Sequence, residues 1–159
     1  MAQPDIVHPI PFNVGEAVIE PFWATGFHTF STWTVTGAEG SSARVYDRWA
    51  MVAFEWVTAP SDAPVFSLSR KMTVDVSDYN ALTISCVLPA ATRLVLIAQT
   101  DAGVRKTITP DGDGSTREFS LDLAGAKTLT HLTIECRSEA TGTQQGNFFW
   151  VGLENTELL

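Results

Sequence analysis

The sequence is poor in the residues that carry most enzyme chemistry. It holds two cysteines, Cys86 and Cys136, and three histidines, His8, His28 and His131. Two cysteines do not make a disulfide framework, and no two of the histidines have the spacing of metal ligands. There is no Gly-x-Ser-x-Gly elbow, no phosphate-binding P-loop and no dinucleotide fingerprint. Cations are also scarce, with ten Lys and Arg against eighteen Asp and Glu, a formal net charge of −8. Such a surface repels a phosphate backbone and an anionic bilayer, so neither nucleic acid nor a membrane is expected as a partner. No apolar run approaches the roughly 18 residues of a membrane-spanning helix. The opening Met1-Ala2-Gln3-Pro4-Asp5 lacks the basic and apolar regions of a signal peptide.

Helical periodicity is missing as well. The best stretch for a 3.6-residue apolar stripe, Arg48–Val57, alternates equally well as a strand. Period-two alternation is present almost everywhere else. It predicts strands over Thr29–Val35, Ala50–Val57, Ser67–Val74, Ala81–Leu88, Arg93–Gln99, Val104–Ile108, Arg117–Leu123, Thr130–Arg137 and Phe148–Leu153, with a short one in Ala17–Glu20. Turn chemistry separates them, as in Pro60-Ser-Asp-Ala-Pro64, Asp101-Ala-Gly103 and Pro110-Asp-Gly-Asp-Gly114. With 159 residues, 45% hydrophobic and 18% charged, the chain reads as one globular domain over residues 1–159. Regularly spaced strands without helices give an all-β fold, a jelly-roll β-sandwich of about 8–10 antiparallel strands. The alternation places Met72, Val74 and Val76 on one face, as it does Leu94, Leu96 and Ala98, then Phe119, Leu121 and Leu123. Both faces of Arg93–Gln99 are apolar, which predicts a central or covered strand. Cys86 and Cys136 fall on apolar faces and read as buried thiols, with a bridge open only to neighbouring strands.

Aromatic residues crowd the N-terminal third: Trp23, Phe27, His28, Phe30, Trp33, Tyr46, Trp49 and Trp56. A flat ring covers the apolar C–H face of a sugar, while nearby polar side chains bind its hydroxyls. The segment Ser41–Trp49 supplies both, with Tyr46 and Trp49 to stack and Arg44, Asp47 and Arg48 to hydrogen-bond. Trp23 and His28 lie in a second loop-like stretch. Trp33, Trp56 and Trp150 sit in strand runs and are expected in the core. Gln144-Gln-Gly-Asn147 reads as a polar loop whose amides, Asn147 among them, line the rim of a site.

Several segments together carry a family resemblance. Asp75-Val-Ser-Asp-Tyr-Asn-Ala-Leu-Thr-Ile84 leads into a core strand. Arg93–Gln99 follows, a polar hairpin runs into Arg117–Leu123, and Phe149-Trp-Val-Gly-Leu153 closes the chain. This last two-thirds resembles the galactose-binding-like jelly-roll domains attached to glycoside hydrolases and polysaccharide lyases. The resemblance implies a non-catalytic carbohydrate-binding or accessory module of a larger polysaccharide-degrading enzyme. Its partners would be a polysaccharide or oligosaccharide, and a catalytic domain or a second copy. It also implies a secreted or periplasmic setting, and a structural calcium held by carboxylates of the early and last strands, here Glu16, Glu20 and Glu154.

Two other readings stay open. One is a structural or oligomerisation sandwich that packs on a catalytic neighbour. The other is a small jelly-roll glycosidase or lyase, although no spacing among the eighteen acids selects a catalytic pair. Asp111-Gly-Asp-Gly-Ser115 with Asp122 echoes a calcium loop. It fails at its sixth position, Thr116, and at its twelfth, Asp122, and is better read as a turn.

Overall fold

A computed structural model describes residues 7–10, 34–37, 43–48, 51–57, 63–140 and 142–155. Among them there are eleven strands and no helix. They are β1 (Val7–Ile10), β2 (Thr34–Gly37), β3 (Arg44–Arg48), β4 (Met51–Trp56), β5 (Phe66–Asp75), β6 (Ala81–Val87), β7 (Thr92–Thr100), β8 (Gly103–Ile108), β9 (Thr116–Asp122), β10 (Thr128–Ser138) and β11 (Gln144–Glu154).

The strands form two antiparallel sheets. One runs β2-β5-β10-β7-β8, the other β3-β4-β11-β6-β9 with β1 also on β11. β11 accepts two partners along one edge because it is eleven residues long. β4 pairs with its first half, Gln144–Phe148, and β1 with Val151–Glu154. β6 covers the opposite edge of β11, with a bulge between Phe148 and Trp150. The result is the expected jelly-roll sandwich.

The predicted strands match the observed ones closely where both are described, but β1, paired with β11, is not among them, and two corrections concern the rest. Arg44–Arg48, read as part of a loop-like binding segment, is strand β3, paired along its length with β4. Gln144–Asn147, read as a loop, is the opening of β11. Arg44–Arg48 is mostly charged and Gln144–Asn147 has no apolar side chain, so neither shows the apolar alternation that marks a strand. Polarity marks only the solvent face of a half-buried strand and says nothing of a loop. The predicted strand Ala17–Glu20 lies outside the described residues.

The core lies between the sheets and follows the alternation. Leu94, Leu96 and Ala98 of β7 face Phe119 and Leu121 of β9 in one apolar cluster, which Met72 joins from its margin. β7 sits between β10 and β8, and its outward Val95 is also buried, as its two apolar faces predicted. Cys86 and Cys136 are both free and buried. Burial pushes the Cys86 thiol up to about 12, against the Arg117 guanidinium that favours the thiolate. Burial likewise raises Cys136. Both therefore behave as small hydrophobes.

Four aromatic rings lock the sheets together. Phe54 stacks on Trp56 with centroids 5.8 Å apart and tilts against Phe148 at 5.0 Å and Phe66 at 5.1 Å. Phe66 comes from the other sheet. Contacts of this kind contribute about 1 kcal/mol each beyond burial. Gly146 makes the arrangement possible. A Cβ there would collide with the Phe54 ring and the Val87 carbonyl.

Two predictions follow from this packing. Overfilling a close-packed core costs about 1–3 kcal/mol. Gly146→Ala should lose stability at or above that range, because a backbone carbonyl cannot step aside as a side chain can. Gly37→Ala, where a Cβ meets nothing within 4 Å, should stay within about 0.5 kcal/mol of the parent. Urea midpoints compare the two, and equal midpoints would contradict the account.

The second concerns acid. Asp101 Oδ1 accepts the Lys127 and Thr128 backbone N–H groups at 2.9 and 3.0 Å, tying the β7–β8 turn to the start of β10. The Thr128 bond and then the Lys127 bond hold its carboxyl below the ordinary value of 3.8. Its contribution to stability is therefore complete above that pH and is lost as pH falls through the depressed value. Asp101→Asn should lower stability at neutral pH and flatten the fall below pH 3.8, measured by urea melts across that range.

Candidate ligand-binding face

The opening of β11 builds a depression on the outer face of its sheet. Alternation turns Gly146 and Phe148 to the core and leaves Gln145 and Asn147 on the far side. Asn147 pairs with Ala53 of β4 on one side and Val87 of β6 on the other. The row continues through Ala53 to Tyr46 of β3 and through Val87 to Thr116 of β9. In the neighbouring row Gln145 pairs with Glu55, and Glu55 with Arg44. Ala53 is short, so the floor dips between longer neighbours. The cavity measures about 410 Å³, with Ala53 and Val87 as floor, Gln145 and Asn147 as polar lining, and Pro89, Gly114 and Thr143 as walls.

The wall is fixed by its backbone. Gly114 donates its N–H to the Leu88 carbonyl at 2.9 Å, and Gly112 to the Thr92 carbonyl at 2.7 Å. Gly112 lies so close to Leu88 that a side chain there would strike its backbone. Asp113 accepts both the N–H and the hydroxyl of Ser115, which closes the turn and holds the Asp113 carboxyl below its usual range. Arg117 bonds the Asp111 carbonyl at 3.3 Å and lies over the Phe119 ring. The segment expected to be a turn is one, and it acts as a rigid rim.

Chemically this is a recess with an apolar floor and neutral amide and hydroxyl walls. Amides donate and accept, so they match hydroxyl groups, which do the same. Among the described residues no His, Lys or Arg lines the recess.

Of the sequence-predicted ligand residues, Asn147 is in this recess, half-buried, on a strand. Tyr46 and Arg48 are placed on β3 at register positions opposite Ala53 and Met51, which puts Tyr46 in the Asn147 row. Trp23, His28 and Trp49 lie outside the described residues. So do Glu16 and Glu20 of the expected calcium set. The third, Glu154, ends β11 half-buried, with the Thr83 hydroxyl 3.4 Å from its Oε1. Thr83 also bonds Ser120 at 2.9 Å. Among the described residues no three His, Cys, Asp or Glu side chains stand where they could share an ion. These residues alone therefore do not form the implied cation cage. Trp56, expected in the core, is there and 1% exposed.

Sequence reasoning missed Ala53, Val87 and the Gly114 wall, and it included Gln145 among the Gln144–Asn147 amides without singling it out. Gln145 had a signal, the two-residue step to Asn147 across an inward Gly146. Ala53 and Val87 carry none, because only the register between β4, β11 and β6 makes them neighbours.

No protein-family model matches the chain, and no curated protein matches it. Solved structures do. The family 11 carbohydrate-binding module of the cellulosomal cellulase Lic26A-Cel5E of Clostridium thermocellum superposes with a TM-score of 0.53 at 9% identity, over 86% of this chain and 95% of that one. BiXyn10A CBM1 gives 0.60 at 9% identity, over 77% and 89%. The agarase AgWH50C gives 0.62 at 8% identity, over 85% of this chain but 24% of that enzyme. At such identities the likeness is one of fold: this chain has the jelly-roll sandwich found in carbohydrate-binding modules and in part of a larger agarase.

Proposed function

We propose that the chain is a non-catalytic carbohydrate-binding module that holds a glycan in the recess at the opening of β11. One observation carries the reading: Gln145 and Asn147 project from a rigid strand beside an apolar floor, under a wall fixed by backbone hydrogen bonds. Neutral amides bind hydroxyls without the desolvation cost of a charge. A pre-formed wall reduces the ordering that binding would otherwise require. Tyr46 and Arg48 on β3, with Trp23, His28 and Trp49, are the further residues assigned to this site. The ring residues would cover sugar faces and the others would bond hydroxyls.

Two of the similar structures are named as carbohydrate-binding modules, and the family 11 module has also been solved with a β-1,3-1,4-mixed-linked tetrasaccharide. In AgWH50C the similar part is about a quarter of an enzyme chain. An accessory role beside a catalytic domain fits that arrangement, and it is the partner proposed here.

Affinity electrophoresis against mixed-linkage β-glucan, xylan and agarose tests the reading, with calorimetry on any glycan that retards the chain. At least one should bind. A hydrogen bond contributes about 1 kcal/mol, so Asn147→Ala and Gln145→Ala should each weaken that glycan roughly fivefold with an unchanged melting temperature. No retardation by any glycan at millimolar sugar, or full affinity in both variants, would remove the assignment.

A further inference from the structure

The opposite sheet carries a second depression, and its origin is a slip in the ladder. β10 pairs with β5 and with β7, and both registers shift between Leu129 and His131. Over that step β7 passes directly from Thr100 to Gln99, with no residue between. β10 has one, Thr130, and β5 has two, Met72 and Thr73. The strands therefore fan apart. A bulge of this kind re-aims side chains and interrupts pairing. The opening measures about 490 Å³ and is lined by Lys71, Met72, Thr73, Gln99, Thr130 and His131.

The lining differs in kind from the β11 recess. It holds an ammonium, an imidazole, an amide and two hydroxyls and, among the described residues, no carboxylate. Lys71 and His131 are directly opposite each other in register, with Gln99 on the other side of His131. Three arginines of the surface are occupied. Arg93 meets Asp111 and Glu139 at 3.6 and 3.5 Å, Arg137 meets Glu135 at 3.2 Å, and Arg105 bonds the Asp122 carbonyl at 3.2 Å. Among the described residues neither Lys71 nor His131 has a side-chain partner. Lys106, on the same face opposite Ile97, adds a further positive charge nearby.

We infer that this fanned end of β5, β10 and β7 is a second ligand site, which takes a single oxyanion, a carboxylate or a sulfate ester, borne on a hydroxyl-rich molecule such as an acidic sugar. Lys71 and the His131 ring N–H point-bind the anion, and charge-assisted hydrogen bonds are the strong ones. Gln99, Thr73 and Thr130 bond neighbouring hydroxyls, and Met72 meets an apolar edge. The net charge of −8 selects against a polyanion, because the field of the whole surface opposes dense negative charge while a local pair accepts one anion. The site is on the other sheet from the β11 recess and does not depend on the reading of that recess.

Amide and histidine-ring NMR of the whole chain tests it with three matched probes: glucuronic acid, glucose 6-sulfate and glucose. One or both anions should shift Lys71, Gln99, Thr130 and His131, weaken with added salt, and leave the Gln145 and Asn147 signals still. Glucose should leave all of them still at the same concentration. Response to glucuronic acid alone identifies a carboxylate site, and response to the sulfate alone a sulfate site. Lys71→Gln combined with His131→Gln should weaken the effective anion roughly tenfold, and Lys71→Glu should abolish its binding. Equal shifts with glucose would overturn the inference, as would silence from both anions up to about 50 mM, or undiminished binding in the Lys71→Glu chain.

Discussion

The contact between Phe54 and the bare backbone of Gly146 is the constraint on which the binding face rests. It lets the Phe54 ring lie across β11 and reach Phe148 on one side and Phe66 of the facing sheet on the other. Because side chains alternate, any register that keeps Phe54 opposite Gly146 also keeps Ala53 opposite Asn147 and Glu55 opposite Gln145. A slip of β11 by one residue would send both amides into the core and bring the Phe148 ring out to solvent. The core and the outer recess are thus two faces of one pairing.

The same rule explains how much of the molecule was legible in the sequence. β5, β6, β9 and β10 were readable because they alternate and end in turn residues, and β7, apolar on both faces, because turn residues bound its run. The edges of the molecule were less so. β3, Arg44-Val-Tyr-Asp-Arg48, has one apolar residue that packs on the core, Val45, and its polar neighbours suggested a loop. The opening of β11 misled for a related reason. Gly146 occupies the inward position that an apolar side chain normally marks, because Phe54 already fills that space. Half of the recess was therefore named, through Asn147, while its floor was not. A floor assembled from three strands far apart in the chain leaves no local trace.

The fanned end of the other sheet was still less legible. His131 alternates with the inward Leu132 and Ile134, but nothing in Thr130–Arg137 predicts a slip. The excess residues sit partly in β5, at Met72 and Thr73, and a register shift is a property of a pair of strands. The floor of the first depression and the whole of the second were invisible to a reading made one strand at a time.

Both depressions lie where a regular sheet becomes irregular, and that is the expected consequence of packing. An unbroken ladder presents an even outer face with no recess deep enough to surround a ligand. The β11 bulge between Phe148 and Trp150 follows directly on the strand that carries Gln145 and Asn147, and the β10 slip is itself the floor of the second opening. The lining then decides the chemistry. Neutral amides gather at the first and unpaired nitrogen donors at the second, on opposite sheets of one acidic molecule. The apolar interior makes both layers stiff enough to hold these groups apart, since a close-packed core transmits strain and resists adjustment. The first face therefore presents neutral amides and the second an ammonium and an imidazole, each group placed by the register of its own sheet.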